Sequence, residues 1–95
     1  MATRPLTDRE VRAISRVLSD PRRFAILRHI AGKPTAACTD LRCAFPITAA
    51  TLSHHLKELE SAGLIDVARR GKFVDVKFQR DTWRSYLAEL RKLVG

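Results

Sequence analysis

The chain has no run of 18 apolar residues, so no segment of it can cross a bilayer as a helix. Its opening, Met1 to Pro5, lacks the apolar core of a secretory signal, and the expected location is cytoplasmic. Only two cysteines occur, Cys38 and Cys43, which in that compartment read as thiols rather than a structural disulfide. There is no Gly-rich phosphate loop, and no Ser/His/Asp or paired-carboxylate spacing that would support catalysis. Neither an enzyme nor a cofactor is expected. Internal repeats and low-complexity segments are missing as well. Acidic residues are scarce: 10 against 18 Lys and Arg leave a net charge of +8. A pI near 10.5 makes a polyanion the default partner. The cations are spread over several elements rather than massed on one amphipathic helix, which favours nucleic acid over a membrane surface. At 95 residues the chain holds one domain with a small core.

The most informative segment runs from Ile47 to Ile65. Read as a helix starting near Thr48, it places Leu52, Leu56 and Leu59 on one apolar stripe. At 100° per residue, His54 and Lys57 lie roughly opposite that stripe, with Ser53 beside them. Thr48 supplies an N-cap hydroxyl, and Gly63 a residue free to take positive φ, followed by apolar Leu64. Such a helix, buried on one side and polar on the other, suits a DNA major groove. Beyond Leu64 the period changes to two. Ile65, Val67 and Arg69 form one alternating run, and Val74, Val76 and Phe78 the other. Arg69-Arg70-Gly71-Lys72 between them predicts a β-hairpin with three cations at its tip. After a recognition helix, that hairpin reads as a wing that reaches phosphates or the minor groove.

Upstream, residues 1–6 read as a loose arm ahead of a domain spanning residues 7–94. Thr7-Asp8-Arg9-Glu10 is a capping box, and Val11, Ile14, Val17 and Leu18 form the stripe of the helix it opens. Asp20-Pro21 restarts a helix whose Phe24, Ile26, Leu27, Ile30 and Ala31 are assigned to the core. Thr39 to Phe45 reads as a short third helix broken at Pro46, giving helix, three-residue turn, helix. A last helix, capped by Asp81, carries Trp83, Tyr86, Leu87, Leu90 and Val94. The predicted order is ααααββα, mainly α with a small hairpin: a winged helix-turn-helix with an extra helix at each end. The single stripes of the terminal helices predict a homodimer interface at Val11, Ile14, Leu18, Trp83, Tyr86, Leu87, Leu90 and Val94.

Three segments together resemble the ArsR/SmtB family of small winged-helix repressors. They are Leu18-Ser-Asp-Pro-Arg-Arg-Phe-Ala-Ile-Leu27, Leu52-Ser-His-His-Leu-Lys-Glu-Leu-Glu-Ser-Ala-Gly-Leu-Ile65, and the wing from Arg69 to Lys72. The resemblance implies a homodimer that binds double-stranded operator DNA at an inverted repeat, often under control of a small signal; the inducer stays unspecified. It also implies DNA contacts from Thr48, Thr51, Ser53 and His54, to which the helix and wing add Lys57, Arg69, Arg70 and Lys72. A Gln frequent in the family after the cap is Ala49 here. The family's Cys-x-Cys metal site reads Ala37-Cys38-Thr39, and the last helix holds no His for its second site, so no metal is expected. A winged-helix module that binds protein rather than DNA is the alternative function.

Five residues of helix separate Cys38 from Cys43, placing them about 140° apart; they converge only if Cys38 precedes a Thr39 cap and folds back. Cys43 reads as a small core residue and Cys38 as a loop thiol, with thiol-based metal, metalloid or redox sensing as the alternative. His54 is expected on DNA. His55, on the flank of the stripe, either packs or touches a phosphate, and His29 is a boundary residue.

Overall fold

Thr7 starts the first helix, α1 (Asp8–Leu18), through a reciprocal cap. Its Oγ1 accepts from the Glu10 N–H at 3.2 Å, and the Glu10 carboxylate accepts from the Thr7 N–H at 2.9 Å. The structure, a computed structural model, describes residues 4–95. Residues 1–3 of the expected arm lie outside the described residues, but its remainder is anchored rather than loose. Arg4 forks onto the Glu10 carboxylate at 2.8 and 3.1 Å, and Leu6 is buried in the core. The Arg4 guanidinium, with the Thr7 N–H, holds the Glu10 carboxyl down at about 2.

Asp20 caps α2 (Pro21–Ala31), accepting from the Arg22 and Arg23 N–H groups at 2.9 and 3.1 Å. Pro21 occupies the first helical position, where its missing donor costs nothing. Ile26, Leu27 and Ile30 are buried as the sequence predicts. Phe24 departs from the prediction and is exposed, because its side of the helix borders a groove rather than a packed neighbour.

The connection after α2 contains a short strand absent from the sequence expectation, β1 (Ala36–Ala37). It leads directly into α3 (Cys38–Ala44), which starts one residue earlier than Thr39. Ala37 is the N-cap and makes no side-chain cap bond. Its pairing opposite Asp75 in the sheet, rather than a hydroxyl, fixes where the helix begins. Residues 45–48 join α3 to α4 (Ala49–Ser61), one residue longer than the predicted turn.

Strands β2 (Ile65–Arg70) and β3 (Phe73–Phe78) form the wing, and the sheet order is β1-β3-β2, antiparallel throughout. The chain closes with α5 (Arg80–Arg91) and a 3₁₀ turn, Lys92–Val94. Asp81 is not its cap; the helix starts after Gln79, whose N–H donates to the Leu64 carbonyl at 2.9 Å.

The core joins Ile14 and Val17 of α1 to Ile26 and Ile30 of α2, Leu41 of α3, Leu52, Leu56 and Leu59 of α4, and Val76 of β3. Ile14 (1% exposed) and Tyr86 (7%) therefore belong to their own chain's core and not to a protomer interface. Ser15 and Tyr86 join their hydroxyls at 2.9 Å between α1 and α5. Trp83 also packs against this core. What stays uncovered on α5 and beyond is Leu87, Leu90, Leu93 and Val94. The fold is a winged helix-turn-helix with five helices and a three-stranded sheet.

Candidate nucleic-acid interface

Burial of Leu52, Leu56 and Leu59 turns the opposite side of α4 to solvent, where Thr51, Ser53, His54 and Lys57 are all exposed. The exposed residues of its first turn include Ala49 and Ala50, whose short side chains let the backbone come close to a partner. Thr48 contributes mainly by capping. Its Oγ1 accepts from the Thr51 N–H at 3.1 Å, and its O–H donates to Thr51 Oγ1 at 2.9 Å. The Thr51 O–H is thereby left to donate outward.

The C-terminus of α4 sets the direction of the wing. The Leu64 N–H donates to the Leu59 carbonyl at 3.1 Å, and the Gly63 N–H to that of Glu60 at 2.9 Å. This is a Schellman cap, and Gly63 sits at its left-handed position with φ +81°. Leu59 and Leu64 are both fully buried, so the cap is also an apolar clasp. At the wing tip, Gly71 and Lys72 form a two-residue loop with Gly71 at φ +60° and Lys72 at negative φ. That is the sense of a type II′ turn, whose twist matches the flanking strands.

Arg69, Arg70 and Lys72 are all exposed there, but not equally free. Arg70 forms an ion pair with Asp75 on the neighbouring strand. The Lys72 ammonium lies 5.9 Å from the centroid of the Phe73 ring, itself exposed. A cleft of about 310 Å³ between α4 and the wing is lined by Ser53, Lys57 and Arg69. A smaller one, about 180 Å³, is lined by Arg42 of α3 together with Lys72 and Phe73. Arg42 thus joins the cationic surface, a residue missing from the sequence expectation. Its place in the last turn of a helix leading to the recognition helix was the available signal.

His55 does not face the partner surface. It is buried, and its Nδ1 accepts the Arg23 Nε–H at 3.3 Å, so α4 is tied to the start of α2. Burial pushes its pKa below the ordinary histidine value, against the opposing pull of Asp20. His29 is half-buried edge-on to Phe45, with ring centroids 5.7 Å apart. The two cysteines reverse their expected environments. Cys43 is exposed, while Cys38 packs against the core. Both lie within α3, so their side chains diverge around the helix and do not form a pair. Among the described residues, no three His, Cys, Asp or Glu side chains gather to hold a metal. Nor is any helix there long and apolar enough to cross a membrane.

A profile of the helix-turn-helix domain family matches residues 18–68, which include α2, α3, α4 and the start of the wing. No curated protein matches the chain in sequence. Solved structures match its fold over nearly the whole length. An ArsR-like transcriptional regulator from Rhodococcus sp. RHA1 is 19% identical with a TM-score of 0.79, over 88% of this chain and 78% of its own. The homodimeric winged helix-turn-helix DNA-binding domain of a possible ArsR-family regulator from Mycobacterium bovis is 26% identical with a TM-score of 0.71, over 99% and 89%. The transcriptional repressor BigR from Xylella fastidiosa is 20% identical with a TM-score of 0.68, over 83% and 82%. The helix-turn-helix and the wing agree with these matches: the fold is similar to that of ArsR-type winged helix-turn-helix proteins, and the chain belongs to the helix-turn-helix domain family.

Proposed function

We propose that the chain is a transcriptional regulator that binds duplex DNA as a homodimer and acts as a repressor at an inverted-repeat operator. One observation carries it: α4 exposes Thr51, Ser53, His54 and Lys57 on the side away from its buried leucines, with Arg69 of the wing in the same cleft and Lys72 in the next one beside Arg42. Hydroxyls, an imidazole and an ammonium on one helix face are the donors and acceptors that read base edges. The wing cations, with Arg42, suit flanking phosphates. In the dimer, α5 packs against its symmetry mate through Leu87, Leu90 and Val94, with Leu93 added and Val11 and Leu18 of α1 at the margin. Support comes from the exposure of these four apolar residues near the C-terminus and from the homodimeric Mycobacterium bovis domain. Two recognition helices related by a twofold axis would meet half-sites about one helical turn, roughly 10 bp, apart or a small multiple of that.

The test is fluorescence anisotropy with random-sequence and with selected duplexes across a salt series. The expected result is a logarithmic fall of affinity with salt, with a slope of about 0.9 per phosphate neutralised, and an enriched duplex with two-fold symmetry. Absence of salt-dependent DNA binding at micromolar protein would overturn the proposal and leave a protein-binding module as the better account.

A further inference from the structure

The base of the sheet carries a second ionic and aromatic cluster that DNA contact leaves unused. Phe24 is the fourth residue of α2 and is 39% exposed. It borders a groove of about 280 Å³ whose apolar lining also includes Leu27, Phe78 and Trp83. Two arginines line the same groove. The Arg28 Cζ is 6.0 Å from the Phe24 ring centroid, and the Arg80 Cζ is 5.6 Å from that of Phe78. Arg80 reaches across from α5, its Nη2 donating to the Ala31 carbonyl at 3.4 Å. Arg28 lies over Phe24 and Arg80 at the Ala31 carbonyl that ends α2, so the two guanidiniums border the groove at different points along that helix. Neither pairs with a carboxylate among the described residues, and Asp81, next to Arg80, is held by Arg84 at 3.5 Å. The adjoining cleft beyond Arg80 is lined by Lys77 and by Lys33, which faces Asp40 at 4.0 Å, together with Asp81.

A guanidinium beside an aromatic ring offers a planar set of N–H donors, and a carboxylate takes two of them in a fork. The volume falls just under the ~300–1,000 Å³ of pockets for drug-sized ligands, which suits a one- or two-ring acid. Phe78 and the wing-tip Phe73 lie at opposite ends of β3, roughly 16 Å apart at about 3.3 Å per residue, so the groove is separate from the wing tip. From this we infer that the groove is a binding site for a small aromatic carboxylate. Its ring lies among Phe24, Phe78 and Trp83, and its carboxylate accepts from Arg80, with Arg28 adding positive charge along the groove.

Binding is measured on the 95-residue chain free of DNA, so its failure and that of DNA binding are separable. Naphthalene-2-carboxylate is the probe, titrated by calorimetry and by the fluorescence of Trp83, the only tryptophan. Saturable binding of one probe per chain is expected, with a Kd of about 1 mM or tighter and the same midpoint in both signals. The uncharged naphthalene-2-carboxamide should bind about tenfold more weakly, because charge-assisted bonds are lost. The Arg28→Gln, Arg80→Gln double variant should lower the acid to the amide's affinity, and Phe24→Ala should weaken both. All three positions are exposed, and circular dichroism confirms that each variant is folded. Three results would each overturn the inference: no saturation at about 10 mM, equal affinities for acid and amide in the parent, or no response to the arginine variants. A fourth would be competition between probe and self-association in sedimentation, which would make the groove part of a protein interface.

Discussion

Replacing Gly63 by Ala should lower stability through the backbone alone. Gly63 holds φ +81°, and the nearest atom to an added Cβ is Thr82 Cγ2 at 3.6 Å, an ordinary contact. Steric overlap with the surroundings is therefore excluded as a cause. What remains is the left-handed conformation, which costs an L-residue with a Cβ about 1–2 kcal/mol. In a domain of this size 1 kcal/mol moves Tm by roughly 4–8 °C, so Gly63→Ala should melt about 4–16 °C below the parent. Gly63→Asn should fall between the two, because Asn tolerates this region better. Gly32→Ala is the control. Gly32 also ends a helix, but at φ −76°, and its Cβ would meet nothing closer than the His29 carbonyl at 3.6 Å. That substitution should stabilise by about 0.4–1 kcal/mol through the unfolded chain. Thermal unfolding followed by circular dichroism at one fixed protein concentration measures all four proteins, since self-association would otherwise shift Tm. If Gly63→Ala melted with the parent, or if the two alanine variants moved together, the assignment of the cap would be wrong. Because this cap joins the recognition helix to the wing, the same variant should also weaken DNA binding at temperatures where it is fully folded.

Ser53→Ala and His54→Ala should reduce binding to a selected operator more than to random duplex, whereas Arg69→Ala and Lys72→Ala should weaken both and lower the salt slope by up to about one unit each. Arg70→Ala should do less than either, since Asp75 already engages that guanidinium; equal salt slopes for all three wing variants would contradict this ranking. Leu87→Asp with Leu90→Asp would bury carboxylates in the proposed α5 interface at a cost of several kcal/mol, and sedimentation should find folded monomer; an unchanged dimer would place the interface elsewhere. His55 has a folded pKa below its unfolded value of about 6.5, so the unfolded chain takes the proton first. Its contribution to stability is then present above that value and declines as pH falls through it towards the lowered native value. Urea midpoints at pH 7.5 and 5.5 should converge for the parent and a His55→Gln variant at the lower pH; a parallel fall of both would exclude His55 as the cause. Cys43 should alkylate faster than Cys38, and the Cys38→Ser, Cys43→Ser double variant should bind operator as the parent does. Release of the parent, but not of this variant, by zinc, trivalent arsenic or peroxide would make the thiols a sensor.

The elements that local chemistry marks are legible in the sequence itself. Thr7 with Glu10, Asp20 with the Arg22 and Arg23 amides just past Pro21, and the Gly63 and Leu64 amides with the Glu60 and Leu59 carbonyls each bring donor and acceptor within a few residues, and each cap forms as predicted. The hairpin likewise follows from period two around a Gly-containing turn. What escapes a reading of the sequence depends on partners distant along the chain. Two alanines carry no strand signal, and Ala36–Ala37 becomes one only because β3 offers an edge. The α5 start moves from Asp81 to Gln79 because the Gln79 N–H is taken by Leu64, again a tertiary bond. Helical periodicity puts Phe24 and Ile14 on apolar stripes correctly, yet cannot tell a core from a groove or from an interface. At the site, exposure of Ser53, His54 and Lys57 follows from the leucine stripe, whereas the Arg70–Asp75 pair requires the hairpin register.

The sheet order gives the wing unequal mechanics along its length. β1 braces β3 only at Asp75 and Val76, so the outer rungs, Arg69 with Val74 and Arg70 with Phe73, form a two-stranded overhang. A hairpin of two strands alone is barely stable, while one held by a third strand is stiff. The wing is thus a cantilever, clamped at its root beside α3 and compliant at its charged tip. In the proposed DNA complex, such a beam would let the cations follow phosphates along duplexes of differing groove width while the recognition helix keeps its alignment. Substitutions near the tip can then retune reach and flank preference without disturbing the fold that carries them.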